Sequence, residues 1–266
     1  RVDRRQRQMC IRDRCISVGV TSWESAASAL FARQHALATT HQLVEIGVPR
    51  GVIRQRRRTG EWLDREPGLV ALPGPDPWER RLHGAVLLGG PSTVAASGAA
   101  GRAYRFDGFD RFDEIVVTSI DGAHVRRADG VRVLRSTLLT RRHRFVMPNG
   151  VPAVSKPVAL IQIAAEHGLD ATARALDGLL RDGVSARWID TTARELRRSG
   201  VRGPALVQQL LHERVDARLP RSWFQRLAKR LLATTGMAFV DELPVMSATG
   251  RRLAVLDLAM PSLKIG

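Results

Sequence analysis

Residues 35–74 read HALATTHQLVEIGVPRGVIRQRRRTGEWLDREPGLVALPG, and this stretch decides the fold prediction. With the residues just before it, the spacing of apolar side chains predicts helices over 26–35, 41–46 and 49–59. Two short extended runs then flank a turn and predict a hairpin over 62–71. This order of elements predicts a small domain of three helices that ends in a hairpin.

The ends of these elements are indicated by residues with known positional preferences. Thr40 is expected to cap the second helix, and Gly47 is expected to end it. Pro49 suits the first position of the third helix, because the N–H that it lacks has no intrahelical partner there. The third helix should stop at Gly60, and Glu66-Pro67-Gly68 marks the hairpin turn.

The predicted third helix carries a dense positive charge from Arg50, Arg54, Arg56, Arg57 and Arg58. At about 100° per residue, Val52 and Ile53 face the preceding helices, whereas Arg50, Arg54, Arg57 and Arg58 share the other side. An arginine in the major groove can donate two parallel hydrogen bonds to guanine, and it can equally bind a phosphate. The pattern therefore predicts the recognition helix of a winged helix-turn-helix that binds double-stranded DNA.

Two neighbouring elements supply further predicted DNA contacts. The start of the second helix, Thr40, His41 and Gln42, is expected to meet the DNA backbone. The hairpin is the predicted wing, and its Arg65 would reach the adjacent groove. A run of like charges is also typical of a solvated basic face, and that alternative stays open.

The composition agrees with a basic, folded protein. The chain has 266 residues and a net charge of +16, with Lys156, Lys229 and Lys264 as its only lysines. A basic surface attracts polyanions, although a GC-rich genome also enriches arginine through its codons. No apolar run is long enough to span a bilayer. Two cysteines, Cys10 and Cys15, suffice for neither a disulfide framework nor a four-ligand zinc site. This low cysteine content predicts a reducing, cytoplasmic location.

The whole chain is predicted to be an α+β protein with the winged helix-turn-helix over 22–74. Residues 1–15 show no periodicity and are expected to be non-native or disordered, and the chain is expected to be a fragment. A mixed α/β middle domain is predicted over 78–218, followed by an incomplete domain over 221–266. The later predicted helices cover 78–88, 157–168, 171–181, 188–198, 204–213 and 222–236, and the small-residue run 92–100 is compatible with a helix. The predicted strands cover 114–119, 131–135, 151–154, 243–245 and 253–258.

Residues 35–72 resemble the winged-helix domain of the AbiEi family, the antitoxins of type IV toxin–antitoxin systems. The shared pattern is a polar-capped helix, a Gly-Val turn, an arginine-rich helix and a hairpin. Gly68-Leu69-Val70 lacks the aromatic residue that the family carries there. The resemblance continues in EIVVTS, VRVLRSTLL, NGVPAVSKPVALIQIAA and VRGPALVQQLLHER. It implies a DNA-binding antitoxin that acts with a nucleotidyltransferase-like toxin.

The last segment resembles the beginning of the very-short-patch-repair endonuclease fold, in RSWFQRLAKRLLATTG and LAVLDLAMPSLKIG. This resemblance implies Asp257 as a catalytic, metal-binding aspartate, with Mg²⁺ as the metal of a full-length nuclease. Gln225 stands where many relatives carry a glutamate, and the next strand acid would follow Gly266. The chain as given is therefore expected to be inactive and to hold no cofactor. Alternatively, Asp257 is a strand-end aspartate paired with an arginine.

Three functions follow from these predictions. The first is a DNA-binding antitoxin or transcriptional autoregulator of a type IV toxin–antitoxin system. The second is a metal-dependent DNA endonuclease whose catalytic domain is cut off. The third is a protein–protein adaptor whose basic charge reflects genome composition alone.

Overall fold

The structure is a computed structural model that describes residues 22–126, 128–215, 231, 234, 239–247 and 252–263. The chain divides into two compact units. The first unit comprises the residues up to Ala100 and the segment Asp113–Ser155, and the second comprises Gly101–Phe112 and the residues from Lys156 onward. Both helices and sheets are present in the described residues, as predicted for an α+β protein.

The first unit begins with the three predicted helices and the predicted hairpin, together with one further short strand. These are α1 (Ser22–Arg33), β1 (Leu37–Thr39), α2 (Thr40–Glu45), α3 (Arg50–Arg58), β2 (Leu63–Glu66) and β3 (Leu69–Ala71). The strands form an antiparallel sheet in the order β1-β3-β2. Strand β1 has no counterpart among the predicted elements, because three residues are too few to show an alternating pattern.

The apolar side chains of α1, α2 and α3 meet in one core. Its buried members are Ala27, Leu30, Phe31, Ala38, Leu43, Val48, Ile53, Trp62 and Val70. The rings of Phe31 and Trp62 meet edge to face at a centroid distance of 5.4 Å. Because Ile53 of α3 is buried in this core, the packing fixes which side of α3 faces inward.

The next elements are α4 (Trp78–Gly89), β4 (Thr93–Ala95), α5 (Ser97–Ala103), β5 (Ile115–Ser119), β6 (Val131–Leu134), β7 (Arg144–Val146) and β8 (Pro152–Val154). All belong to the first unit except the end of α5, which belongs to the second unit from Gly101 onward. A mixed sheet holds its strands in the order β6-β5-β4-β8-β7. The run 92–100, interpreted from its small residues as compatible with a helix, instead begins with strand β4 and enters α5 at Ser97. Central pairing with β5 and β8 overrides the helical preference of this small-residue run.

Helix α4 packs against the first sheet. Leu37, Leu69 and Ala71 form a buried cluster against which Leu87 and Leu88 of α4 pack. A Cβ on Gly84 would lie 3.3 Å from a methyl group of Leu69, which shows how closely helix and sheet approach.

The second unit contains α6 (Lys156–Arg181), α7 (Ala186–Glu195), α8 (Arg202–Val215), β9 (Val240–Met246) and β10 (Arg252–Ala259). Helix α6 joins two predicted helices across a kink at Gly168, where φ is +74°. Strands β9 and β10 pair as an antiparallel ribbon. A Cβ on Gly203 would overlap the carbonyl oxygen of Ile161, so glycine permits the close approach of α8 to α6.

Some predictions fall outside the described residues. They are the segment 1–15, Gln225 and nearly all of the predicted helix over 222–236, of which the structure describes Leu231 and Thr234. Within the described residues, no helix combines the length and apolar character that a membrane crossing requires.

Candidate nucleic-acid interface

Helix α3 is held in place by its apolar side. Pro49 was predicted as its first residue, but Pro49 is the extended cap residue, so the helix begins one residue later at Arg50 and Thr59 ends it. Ile53 is buried in the core, and Val52 packs against the same core as a half-buried residue. The predicted division of the helix into an apolar inner side and a basic outer side is therefore confirmed.

Four arginines of α3 are exposed, as predicted: Arg50, Arg54, Arg57 and Arg58. In the described part of the chain, no carboxylate pairs with Arg50, Arg54 or Arg58. Residues 46–60 contain no acidic residue, so the charge of these guanidinium groups is not offset within their own segment. The exposed side of α3 can therefore bind an anion at several points.

Arg57 is exposed but differs from the other three because it has a partner. Its Nη2 lies 2.6 Å from Oδ2 of Asp64 on strand β2. The pair links α3 to the hairpin and partly neutralises the arginine. Arg57 could still bind a phosphate, but it would first have to release or share Asp64.

Arg56 faces the body of the domain. Its guanidinium carbon lies 5.3 Å from the ring centre of Trp62 and 5.6 Å from that of Trp23. Glu24 and Glu61 lie within ion-pair distance, at 3.7 and 3.8 Å. Cation–π contacts of this kind stabilise a fold, so Arg56 is expected to support the domain rather than to contact DNA.

The hairpin places Arg65 beside an acid. Arg65 Nη2 lies 3.2 Å from Asp76 Oδ1, and both side chains are about one-third exposed. Gly68 occupies the turn with φ of +91°, a conformation that favours glycine. The hairpin predicted from Glu66-Pro67-Gly68 is present, whereas the contact predicted for Arg65 competes with Asp76.

The start of α2 differs from its prediction by one residue, because Thr39 rather than Thr40 caps the helix. The Gln42 backbone N–H donates to the Thr39 hydroxyl at 3.1 Å, and the Thr39 N–H donates to the Gln42 side chain at 2.9 Å. This reciprocal pair forms a capping box. Gln42 is therefore already hydrogen-bonded, and Thr40 donates its own N–H to the carbonyl of Gly68 at 2.9 Å.

His41 is exposed at the beginning of α2. Its Nδ1 lies 3.3 Å from a carboxylate oxygen of Glu45, one helical turn later. Of the three residues predicted at this position, His41 is the one whose side chain is exposed. Thr40 and Gln42 are half-buried and lie beside it, so the segment can meet a backbone phosphate mainly through His41 and Thr40.

Arg126 also lies at the hairpin turn, although the sequence prediction did not include it. Its Nη1 would lie 3.7 Å from a Cβ placed on Gly68. The residue is exposed and belongs to the connection between β5 and β6, far from the hairpin in sequence. Two adjacent arginines in the turn-rich segment DGAHVRRADG are a basic signal that could have drawn attention to it.

Asp257 lies on β10, between Leu256 and Leu258, which face Leu243 and Asp241 of β9. Its side chain is outside the described residues, so its predicted catalytic and metal-binding role stays a prediction. No group of three His, Cys, Asp or Glu side chains within the described residues is arranged to hold a metal ion.

Comparison with solved structures finds a distant likeness. The chain is similar to the crystal structure of the Rv2827c protein from Mycobacterium tuberculosis, with 21% identity and a TM-score of 0.40. The match covers 72% of this chain and 81% of that chain. No protein-family model matches the chain, and no curated protein matches it.

The arrangement around α3 is suited to binding an extended anion. Three arginines without a carboxylate partner among the described residues project from a helix whose other side packs into an apolar core. His41 and Arg126 add two polar or basic groups near the hairpin turn. Guanidinium groups bind phosphate oxygens through charge-assisted hydrogen bonds, and a rigid helix fixes their spacing.

Proposed function

We propose that this protein binds double-stranded DNA through a winged helix-turn-helix, with α3 as the recognition helix and the β2–β3 hairpin as the wing. The observation that carries the proposal is the exposed set Arg50, Arg54 and Arg58, which has no carboxylate partner in the described part of the chain, on a helix anchored by Ile53. Arginines presented in this way can contact phosphates and guanine edges of one duplex.

The proposed biological role is that of an antitoxin or transcriptional autoregulator of a type IV toxin–antitoxin system. The resemblance of residues 35–72 to the AbiEi winged-helix domain supports it. The protein would repress transcription from its own upstream DNA and act together with a nucleotidyltransferase-like toxin. No described residue set favours the endonuclease reading.

Charge reversal of α3 tests DNA binding. The double variant Arg54→Glu/Arg58→Glu should weaken binding to a fluorescent duplex at least roughly 100-fold at moderate salt, since two contacts become repulsive. Arg57 is avoided because its change would also disturb Asp64. The measurement is fluorescence anisotropy, with circular dichroism to verify folding.

The matched control reverses two exposed arginines of the second unit, Arg111→Glu/Arg187→Glu, and changes the net charge equally. Binding should fall less than about tenfold in this control. An equal loss in both double variants would mean that binding depends on net charge and not on α3, and it would refute the proposed interface.

Autoregulation is tested in cells with a reporter gene placed behind the DNA upstream of the protein's own gene. The native chain should repress the reporter, and Arg54→Glu/Arg58→Glu should restore expression. If the native chain binds duplexes in vitro but leaves the reporter unaffected, DNA binding stands and the autoregulatory role fails.

A further inference from the structure

Gly51 is the second residue of α3, and the backbone of the protein does not require a glycine there. Within the part of the chain that the structure describes, every exposed glycine other than Gly51 has a positive φ. A positive φ favours glycine over every residue that carries a Cβ. Gly51 instead lies inside a helix, where alanine would lose less backbone freedom on folding.

The packing of the protein does not require a glycine at this position either. A Cβ added to Gly51 would have no heavy atom within 4 Å. Two buried helical glycines differ in this respect. A Cβ on Gly89 would lie 2.5 Å from the hydroxyl oxygen of Thr93, and a Cβ on Gly178 would lie 2.9 Å from the carboxyl carbon of Asp107. Those two glycines make room for a neighbouring side chain, whereas the space beside Gly51 is open.

The open space beside Gly51 belongs to the proposed DNA-binding side of α3. At about 100° per residue, Gly51 lies within about 60° of Arg54 and Arg58. It lies about 160° from the buried Ile53. The basic side therefore begins with a residue that has no side chain, and it continues one and two turns later with two long, exposed arginines.

This profile suits a helix that enters a groove with its N-terminal end deepest. Glycine is a preferred residue where a ligand must approach the backbone closely. The major groove of DNA is wide enough for an α-helix, and the first residues of a recognition helix commonly contact base edges there. The long side chains of Arg54 and Arg58 can meanwhile reach phosphates that lie farther from the helix axis.

We propose that Gly51 is the point of closest approach between α3 and the base edges of the major groove. The inference rests on the proposed duplex binding, and it adds the depth and direction in which α3 is inserted. Arg54 and Arg58 hold phosphates, which carry no sequence information directly. The close approach at Gly51 lets the helix contact base edges, so Gly51 is a positioning residue on which discrimination between DNA sequences depends.

The test compares the binding of two duplexes by fluorescence anisotropy. One duplex is selected with the native full chain from a random-sequence library, and the other is a shuffled duplex of the same length and composition. Gly51→Leu should weaken binding to the selected duplex roughly 30-fold or more, and Gly51→Ala roughly threefold or more, because the added carbons occupy the space of the base edges. Binding to the shuffled duplex should change less than about threefold, since the phosphate contacts of Arg54 and Arg58 persist.

Two controls separate this effect from damage to the fold. The melting temperature of Gly51→Ala should rise by about 1–3 °C, because a helix favours alanine over glycine. Ala186→Leu adds similar bulk at the exposed first residue of α7, outside the proposed interface. It should change the affinity for either duplex less than about twofold.

Four results would overturn the inference. The first is a selection that yields no preferred duplex, and the second is a native-like affinity of Gly51→Leu for the selected duplex. The third is an equal loss with both duplexes, and the fourth is a lower melting temperature of Gly51→Ala, which would show that the fold requires the glycine. Each of these results leaves duplex binding through Arg54 and Arg58 intact, whereas a native chain that binds neither duplex would refute the proposed function itself.

Discussion

Helices α3 and α8 use the same residue type in opposite ways. On α3, Arg50, Arg54 and Arg58 face solvent without an acidic partner in the described chain. On α8, Arg214 is buried with its side chain 4% exposed, and its Nε donates to Asp177 Oδ1 at 2.6 Å. Arg214 also donates to the carbonyl of Leu210 at 2.7 Å.

The difference shows that arginine content alone does not identify a binding surface. A buried arginine with a carboxylate belongs to the fold, because its charge is balanced inside the protein. An exposed arginine without a carboxylate on a rigid helix leaves its charge available for a partner. Substitutions in the first class should change the free energy of unfolding, and those in the second class should change binding.

The largest expected effect on stability belongs to Arg214→Ala. It removes the guanidinium group whose Nε donates to the buried Asp177 carboxylate, so the free energy of unfolding should fall by about 3–5 kcal/mol. Chemical denaturation followed by circular dichroism measures it. Arg202→Ala, on the exposed start of the same helix, is the control and should change stability by less than about 0.5 kcal/mol. Similar losses in both variants would contradict the structural role of the buried pair.

The same variant should show a distinct pH dependence. Burial raises the pKa of Asp177, and the hydrogen bond from Arg214 opposes that rise. Without Arg214 the folded-state pKa rises further, so the native state binds a proton that the unfolded state has already lost. Stability then falls as pH increases, and Arg214→Ala should lose less stability at about pH 5 than at about pH 7. A loss independent of pH would exclude Asp177 as its cause.

A smaller effect is expected for Arg56→Ala, within the basic helix itself. The variant loses cation–π contacts with Trp23 and Trp62 and should be less stable by about 1–2 kcal/mol. Arg58→Ala, two residues later and exposed, should change stability by less than about 0.5 kcal/mol. Thermal unfolding compares the two variants, and a larger loss in Arg58→Ala would reverse their assigned roles.

The smallest effect distinguishes two adjacent threonines. Thr39→Ala removes the cap of α2 and should lower the free energy of unfolding by about 1 kcal/mol. Thr40→Ala keeps the backbone hydrogen bond to Gly68 and should cost less than about half of that amount. If Thr40→Ala proves the more damaging, the cap has been assigned to the wrong residue.

The elements around α3 were predictable because the residues that determine them lie within or next to each element in the sequence. Pro49, the buried Ile53 and Gly60 define the helix and its inner side without reference to distant residues. The cap was misplaced because Thr39 and Thr40 are both good cap residues, and the backbone conformation decides between them.

Features that depend on tertiary pairing could not be predicted in the same way. Strand β4 forms because β5 and β8 lie on either side of it. Five arginines on nine helical residues cannot all share one side of the helix. Arg56 therefore faces another side, where the fold brings Trp23 and Trp62 against it. The place of Arg126 beside Gly68 follows from contacts between segments distant in sequence.

The salt dependence of duplex binding tests the central claim most directly. For the native chain, the logarithm of the association constant should fall linearly with the logarithm of salt concentration. Arg54→Ala/Arg58→Ala should reduce that slope by about two, because two phosphate contacts no longer release counterions. An unchanged slope, with affinity also unchanged, would show that these α3 arginines do not contact DNA.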